Sequence, residues 1–184
     1  SVIEELLRHT APQGLLNEGS YTLLEDDEKL ELISRMRSVF PIERDFLQDL
    51  PEGIARDTVE SLRAARYIQE RNGESGVHRY IISNSRSAAN VLEVWLLAQF
   101  AGWFDKQLKI DIVPLFETVE DLRHAPQIME KLYNHRIYRQ HLNQRGGTQT
   151  IMLGFSDGTK DGGYVTANWE IYRAKERLTA VSRQ

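Results

Sequence analysis

The chain has no cysteine, three methionines and five prolines in 184 residues. Without cysteine there is no disulfide framework, no thiolate zinc site and no thiol nucleophile, and a reducing cytoplasm is the expected setting. Positive charge is in short supply too: the net charge is −4 and the isoelectric point is near 5.8. That removes the electrostatic reason to expect nucleic acid or an anionic membrane as a partner. Long apolar runs are missing. The most apolar stretch, residues 91–103, is interrupted by Glu93 and Gln99 and is far shorter than a bilayer span. No internal repeat or low-complexity tract is present. What remains, 41% apolar and 27% charged residues, is the composition of a globular protein with a core of its own. Residues 1–7 begin inside an amphipathic pattern and residues 176–184 stop inside another, without a terminating glycine or proline. The expectation is a piece of a longer polypeptide.

Periodicity divides the chain into a helical segment, residues 1–76, and a segment of strand-helix units, residues 77–184. In the first, Ile3, Leu6 and Leu7 mark one helix; Leu30, Ile33 and Met36 share a face of a second, over 26–39 and closed by Pro41. Val59, Leu62, Ala65 and Ile68 recur at spacing three in a third, over 57–70, stopped by Asn72-Gly73. Thereafter strand and helix alternate: 80–83 then 88–101, 110–116 then 119–133, 150–155 then 164 onward. Three such units predict parallel strands joined by right-handed crossovers, an α/β fold. Pattern alone does not separate an open sheet from an arc of a barrel.

The chemistry concentrates in Gly154-Phe155-Ser156-Asp157-Gly158-Thr159-Lys160-Asp161-Gly162-Gly163-Tyr164, which reads as a charged loop between an apolar strand and a long helix. Such loops, at the carboxyl ends of strands, are where α/β proteins carry ligands. A second acid, Glu117, has the same setting after Ile110-Asp111-Ile112-Val113-Pro114-Leu115-Phe116, and Thr118 with Asp121 has capping-box spacing. Two strand ends thus deliver one carboxylate each, a platform for a hard cation; equally, Glu117 could serve a helix start and Asp157 a turn. Lys160, flanked by Gly158 and Gly162, can meet an anion or pair with Asp157 or Asp161. The segment is not a nucleotide-binding P-loop: the glycine gap is wrong, and Asp161 follows Lys160 where that motif needs Ser or Thr. Arg86 lies behind the first strand, within reach of a phosphate or as a surface arginine. His9, His78, His124, His135 and His141 lack ligand spacing. Trp95, Trp103 and Trp169 read as core, and Arg136, Arg139 and Arg145-Gly146-Gly147 as a basic loop.

Three segments together resemble the phosphoenolpyruvate carboxylases: Val113-Pro114-Leu115-Phe116-Glu117-Thr118-Val119-Glu120-Asp121-Leu122; residues 152–164 closed by Asn168-Trp169; and Tyr80-Ile81-Ile82-Ser83-Asn84 with Ser87 and Val91-Leu92-Glu93-Val94. A weaker likeness, Tyr21 with Leu24-Glu25 and Glu28-Lys29, extends it over most of the chain. The match departs at Phe155, Gly158 and Gly162, where the family often has Tyr, Ser and Ala, and near Asn84 and Asn90, as in a divergent bacterial branch. The resemblance implies a partial TIM-type barrel of about three parallel strand-helix units preceded by a helical segment. It also implies a lyase of carbon dioxide fixation, feeding the tricarboxylic acid cycle. Phosphoenolpyruvate and bicarbonate become oxaloacetate and phosphate, with Glu117 and Asp157 holding Mg²⁺ or Mn²⁺ and Lys160 acting on anionic reactants as a catalytic and substrate-binding group.

In that family bicarbonate attacks the phosphate, giving carboxyphosphate and pyruvate enolate, and the enolate then captures carbon dioxide. The histidine and the Gly- and Arg-rich loop that the family also uses have no counterpart here, so the isolated segment is expected to be inactive. An arc of three strands leaves edges and inner positions uncovered, and self-association is expected. Two other readings stay open at this level: an autonomous α/β module that binds an anion or serves assembly, and another barrel enzyme acting on phosphoenolpyruvate or pyruvate.

Overall fold

A computed structural model describes residues 1–10, 20–36, 47, 51–103 and 108–183. Among them are seven α-helices and a three-stranded parallel sheet, so the protein is α/β. The chain forms two compact units: Ser1–His78 with Leu92–Ile110, and Arg79–Val91 with Asp111–Gln184.

In the first unit, α1 (Val2–Thr10), α2 (Asp26–Arg35) and α3 (Ile54–Asn72) bury the stripes their periodicity predicts. Ile3, Leu6, Leu7, Leu30, Ile33, Met36, Val59, Leu62 and Ala65 are all core. Glu25 and Glu28 close a reciprocal cap at the start of α2. The expected end of that helix, at Val39 and Pro41, lies outside the described residues. Gly73 ends α3 at φ 81°, a left-handed value that favours glycine. Gln69 on α3 donates to the carbonyls of Val77 and Lys109, and Tyr21, fully buried, donates to Glu93 at 2.8 Å. Burial and the Glu93 carboxylate push the Tyr21 phenol far up, so it remains a donor.

The second unit carries the sheet, β1 (Arg79–Ile82), β2 (Asp111–Phe116) and β3 (Met152–Leu153), in the order β1-β2-β3 and parallel throughout. Ile81 pairs with Val113, and Leu115 with Met152. The two-residue period therefore sets Ile81, Val113, Leu115 and Met152 on one face. Phe116, Ile112 and Pro114 face the other way into the core. The helix α4 (Ala88–Ala98) opens in this unit with Ser87 and Asn90 in a reciprocal cap; from Leu92 on, it and the π-type turn that follows, Gln99–Trp103, belong to the first unit. Then come α5 (Val119–Asn134), α6 (Arg136–Gln144) and α7 (Ser156–Val181). No helix among the described residues is long and apolar enough to cross a membrane.

Three local expectations need correction. The basic segment around Arg136 and Arg139 is a helix, α6, because Tyr138 and His141 form a buried stripe beneath the arginines. The strand expected over 150–155 shortens to Met152–Leu153, and residues 156–162 are helical, continuous in α7 with the helix beyond a break at Gly163 (φ 79°). Trp169 is exposed, stacked on Tyr172 with Arg173 over its ring, because α7 buries Ala167, Ala174 and Leu178 instead.

The first unit makes a testable demand on pH. Glu4 accepts from the hydroxyls of Ser20 and Thr22 and the Thr22 amide and pairs with Arg8; those hydrogen bonds, foremost the Ser20 hydroxyl, lower its pKa to about 2. A depressed carboxyl contributes stability that is complete above the ordinary value of 4.5 and is lost as pH falls toward about 2. Melting temperatures measured across that window should fall more steeply for the native chain than for Glu4→Gln, and parallel curves would show that the carboxylate is not held in this way.

Candidate active site

Glu117 follows β2 directly, and Asp157 stands four residues beyond β3, so both leave the carboxyl end of the sheet from neighbouring parallel strands. Their segments lie in close backbone contact. The Gly154 amide donates to the Phe116 carbonyl at 2.7 Å, and a Cβ on Gly154 would stand 2.8 Å from the Glu117 Cα. One on Gly158, the neighbour of Asp157, would stand 3.4 Å from the Glu117 carbonyl oxygen. Gly162 is equally confined, with a Cβ there 2.9 Å from Cγ2 of Val119. The glycines thus serve contact between the two segments. They were read from the sequence as loop-formers, yet residues 156–162 are helical, with Asp157 in the first turn, where the helix dipole favours an acid.

One helical turn after Asp157, Lys160 donates from Nζ to Asp157 Oδ1 at 2.9 Å. The two side chains are 78% and 51% exposed, respectively. An ion pair this wet contributes little and breaks readily when a stronger partner arrives. Asp161 turns the other way, and its Oδ2 accepts from the Val119 amide at the start of α5. Thr118 caps that helix as its spacing predicts, accepting from the Asp121 amide while its own amide donates to Asp121 Oδ2, each at 3.0 Å.

Arg86, on the loop after β1, is 68% exposed and stands 3.8 Å from Asp121. That loop carries Asn84 at φ 55°, uncommon for a residue other than glycine. A groove of about 350 Å³ beside it is lined by Arg86, Thr118, Glu120, Asp121, His124 and Asp161. Three carboxylates against one guanidinium make this groove poor in positive field. A larger cavity, about 510 Å³, includes Glu130, Asn134, Arg139 and Gln149 and opens near the amino end of β3, away from the Glu117 and Asp157 corner.

Among the described residues, no three His, Cys, Asp or Glu side chains are grouped to hold a metal ion. The donors at the strand ends are two carboxylates. That set fits Mg²⁺ or Mn²⁺, which accept one or two protein carboxylates and fill the remainder with water and substrate oxygens; it does not fit a closed zinc site.

Residues 2–184 match the family model for phosphoenolpyruvate carboxylase. The chain belongs to the phosphoenolpyruvate carboxylase family. It is 36% identical to a phosphoenolpyruvate carboxylase of Gloeobacter violaceus over 98% of this chain and 20% of that protein. A phosphoenolpyruvate carboxylase of Synechococcus is 43% identical over 70% of the chain and 12% of its own length, and one of Nitrosomonas europaea is 35% identical over 97% and 19%. The chain therefore spans about a fifth of the length of the carboxylases it matches end to end. Both segments that build the Glu117 and Asp157 corner fall inside the matched range.

The contact between Gly154 and Glu117 is backbone against backbone, so it cannot yield by a rotamer change. Gly154→Ala should therefore lower the melting temperature, with a cost of about 1–3 kcal/mol typical of overpacking. Gly154 is not among the glycines with positive φ, so the cost reports the contact and not backbone strain. A wild-type melting temperature for Gly154→Ala would show that the two segments are not in contact.

Proposed function

We propose that this chain is part of the catalytic barrel of a phosphoenolpyruvate carboxylase. In the whole enzyme phosphoenolpyruvate and bicarbonate would be converted to oxaloacetate and phosphate, with Glu117 and Asp157 as metal ligands and Lys160 as the anion-binding catalytic group. The observation that carries the reading is the contact of two family-matched segments at one end of adjacent parallel strands, each bearing a carboxylate.

A divalent cation bound there would supply Lewis-acid stabilisation of negative charge and orient phosphoryl oxygens. The chain's own residues do the rest. Glu117 is fixed by the end of β2 and the capped start of α5, so its carboxylate is presented from a rigid corner. Asp157 would exchange Lys160 for a bound cation, and the lysine ammonium would then be available to an anionic reactant. Arg86 serves a phosphate only by leaving Asp121, and its contribution is correspondingly smaller. A cytoplasmic setting is part of the same proposal and is supported by the absence of cysteine.

A barrel is part of the same proposal. Ile81 and Met152 are 54% and 44% exposed on one face of the sheet, where further strands of a longer polypeptide would cover them. Left uncovered, that face favours a second copy. Light scattering over a concentration series should show association of the isolated chain, and Ile81→Lys should reduce it; a chain that stays monomeric at every concentration would count against an open face. The same preparation should form no oxaloacetate.

The metal reading is tested by titrating the chain with Mn²⁺ and following the free ion by electron paramagnetic resonance. Uptake should be lost in Asp157→Asn and in Glu117→Gln by more than the roughly 100-fold that loss of an outer-shell partner costs, and Mg²⁺ should compete. Equal uptake by the native chain and both variants would remove Glu117 and Asp157 as ligands.

A further inference from the structure

The clasp between the Glu117 corner and the Asp157 turn contains one side chain to which no role has been given. Asp161 is not Lys160's partner, since Lys160 pairs with Asp157. Its Oδ2 instead accepts from the Val119 amide at 3.3 Å, across 42 residues of sequence. Val119 opens α5 two residues after Glu117, and its amide is among the donors that a helix start leaves without an intrahelical acceptor. Asp161 in turn lies four residues after Asp157 on the same helical turn. This hydrogen bond therefore ties the start of α5, beside Glu117, to the helical turn that carries Asp157, well before the Arg123–Glu170 pair farther along the two helices.

The other contacts in the clasp are of a different kind. Gly154, Gly158 and Gly162 permit the approach by lacking a Cβ, but a missing atom limits how close the segments come and does not set their register. The Gly154 amide bond to Phe116 fixes the near end of the segment, before the helical turn begins. The far end, beyond Lys160, is fixed by Asp161. Pinned at both ends, the turn has little freedom to rotate about its axis, which is the motion that would swing Asp157 away from Glu117.

We infer that Asp161 is a positioning residue: by capping α5 from the neighbouring strand's helical turn, it holds Asp157 and Lys160 in register with Glu117. The inference rests on the proposed metal-binding role of Glu117 and Asp157. Ligand geometry of this kind is sensitive to supporting hydrogen bonds, whose loss costs roughly 10- to 100-fold in metal affinity.

The bond can be removed from either side. Asp161→Ala deletes the acceptor. Val119→Pro deletes the donor while leaving Asp161 in place, and proline suits the first position of a helix. Asp161→Asn keeps an acceptor and discards the charge. Mn²⁺ affinity of the whole chain should fall roughly tenfold or more in Asp161→Ala and in Val119→Pro, no further in the double variant, and should stay close to native in Asp161→Asn. The melting temperature of each variant separates register from general stability: Val119 is buried and its Cγ2 packs on Gly162, so Val119→Pro is compared with Val119→Ala, which trims the side chain but keeps the amide donor and should bind Mn²⁺ like the native chain. Native affinity in both single variants, or loss in Asp161→Ala with native affinity in Val119→Pro, would overturn the positioning role. A native chain that takes up no Mn²⁺, or an Asp157→Asn variant that takes it up normally, would overturn the metal reading itself and the positioning role with it. Loss in Asp157→Asn combined with native affinity in Asp161→Ala and Val119→Pro would leave the metal reading standing alone.

Discussion

The arrangement of the second unit depends on how closely residues 154–162 approach the end of β2. A Cβ on Gly154 or Gly162 would fall within 3 Å of a heavy atom of the opposing segment. At that separation repulsion is steep, so any larger side chain must push the segments apart. With hydrogen alone at these positions, the turn carrying Asp157 and Lys160 can rest on the backbone at Glu117. The same absence of side chains that weakens helix propensity by about 1 kcal/mol per glycine allows the contacts that hold the turn helical.

Around that contact, the carboxyl ends of the strands are fixed by hydrogen bonds to helix starts. Thr118 and Asp121 satisfy each other's amides at α5, and Ser87 and Asn90 do the same at α4. Ser85, fully buried, donates to the Ile82 carbonyl at the end of β1. Each bond answers a group that a helix or strand end leaves open. Together they convert flexible connections into corners, on which a carboxylate can be presented in one orientation. On the opposite face of α7, Val165, Trp169 and Tyr172 remain exposed while Ala167, Ala174 and Leu178 lie in the core. Helix α7 also meets α5 through Arg123 and Glu170, at 2.7 Å.

Much of this was legible in the sequence where one physical signal dominated. The stripes of α1 and α3, the glycine stop at residue 73, the parallel order of the strands and the Thr118 cap all follow from short-range spacing. Residues 156–162 were not legible as helix because Gly158, Gly162 and Gly163 argue locally for a loop, while the atoms that overrule them, at Glu117 and Val119, are some 40 residues away in the chain. The helix over Arg136–Gln144 was hidden by its charge: the arginines face outward, and the evidence lay in Tyr138 and His141 beneath them. Trp169 failed as a core residue because α7 meets its neighbours through small side chains, leaving the large aromatic outside. The carboxylates and Lys160 were visible as types of residue at strand ends; the ion pair that joins two of them and the bond from Asp161 needed three dimensions.

The charge balance of the corner bears on how it would work. Glu117, Asp157 and Lys160 together carry a net single negative charge, and Asp161 and Asp121 lie close by in the same unit. A phosphate ester approaching that set meets a repulsive field, which the wet Lys160–Asp157 pair does little to offset. Under the proposed reading, a divalent cation held by the two carboxylates would reverse the sign of the three-residue set and compete with Lys160 for Asp157. Anion binding would then be favoured by the metal, chiefly because the cation would offset the two carboxylates and only secondarily because it would release a lysine from a weak, exposed pair. On that reading, cation before anion is the favoured order at this corner, because the uncompensated carboxylates repel an anion and the nearest cation, Lys160, is paired with one of them.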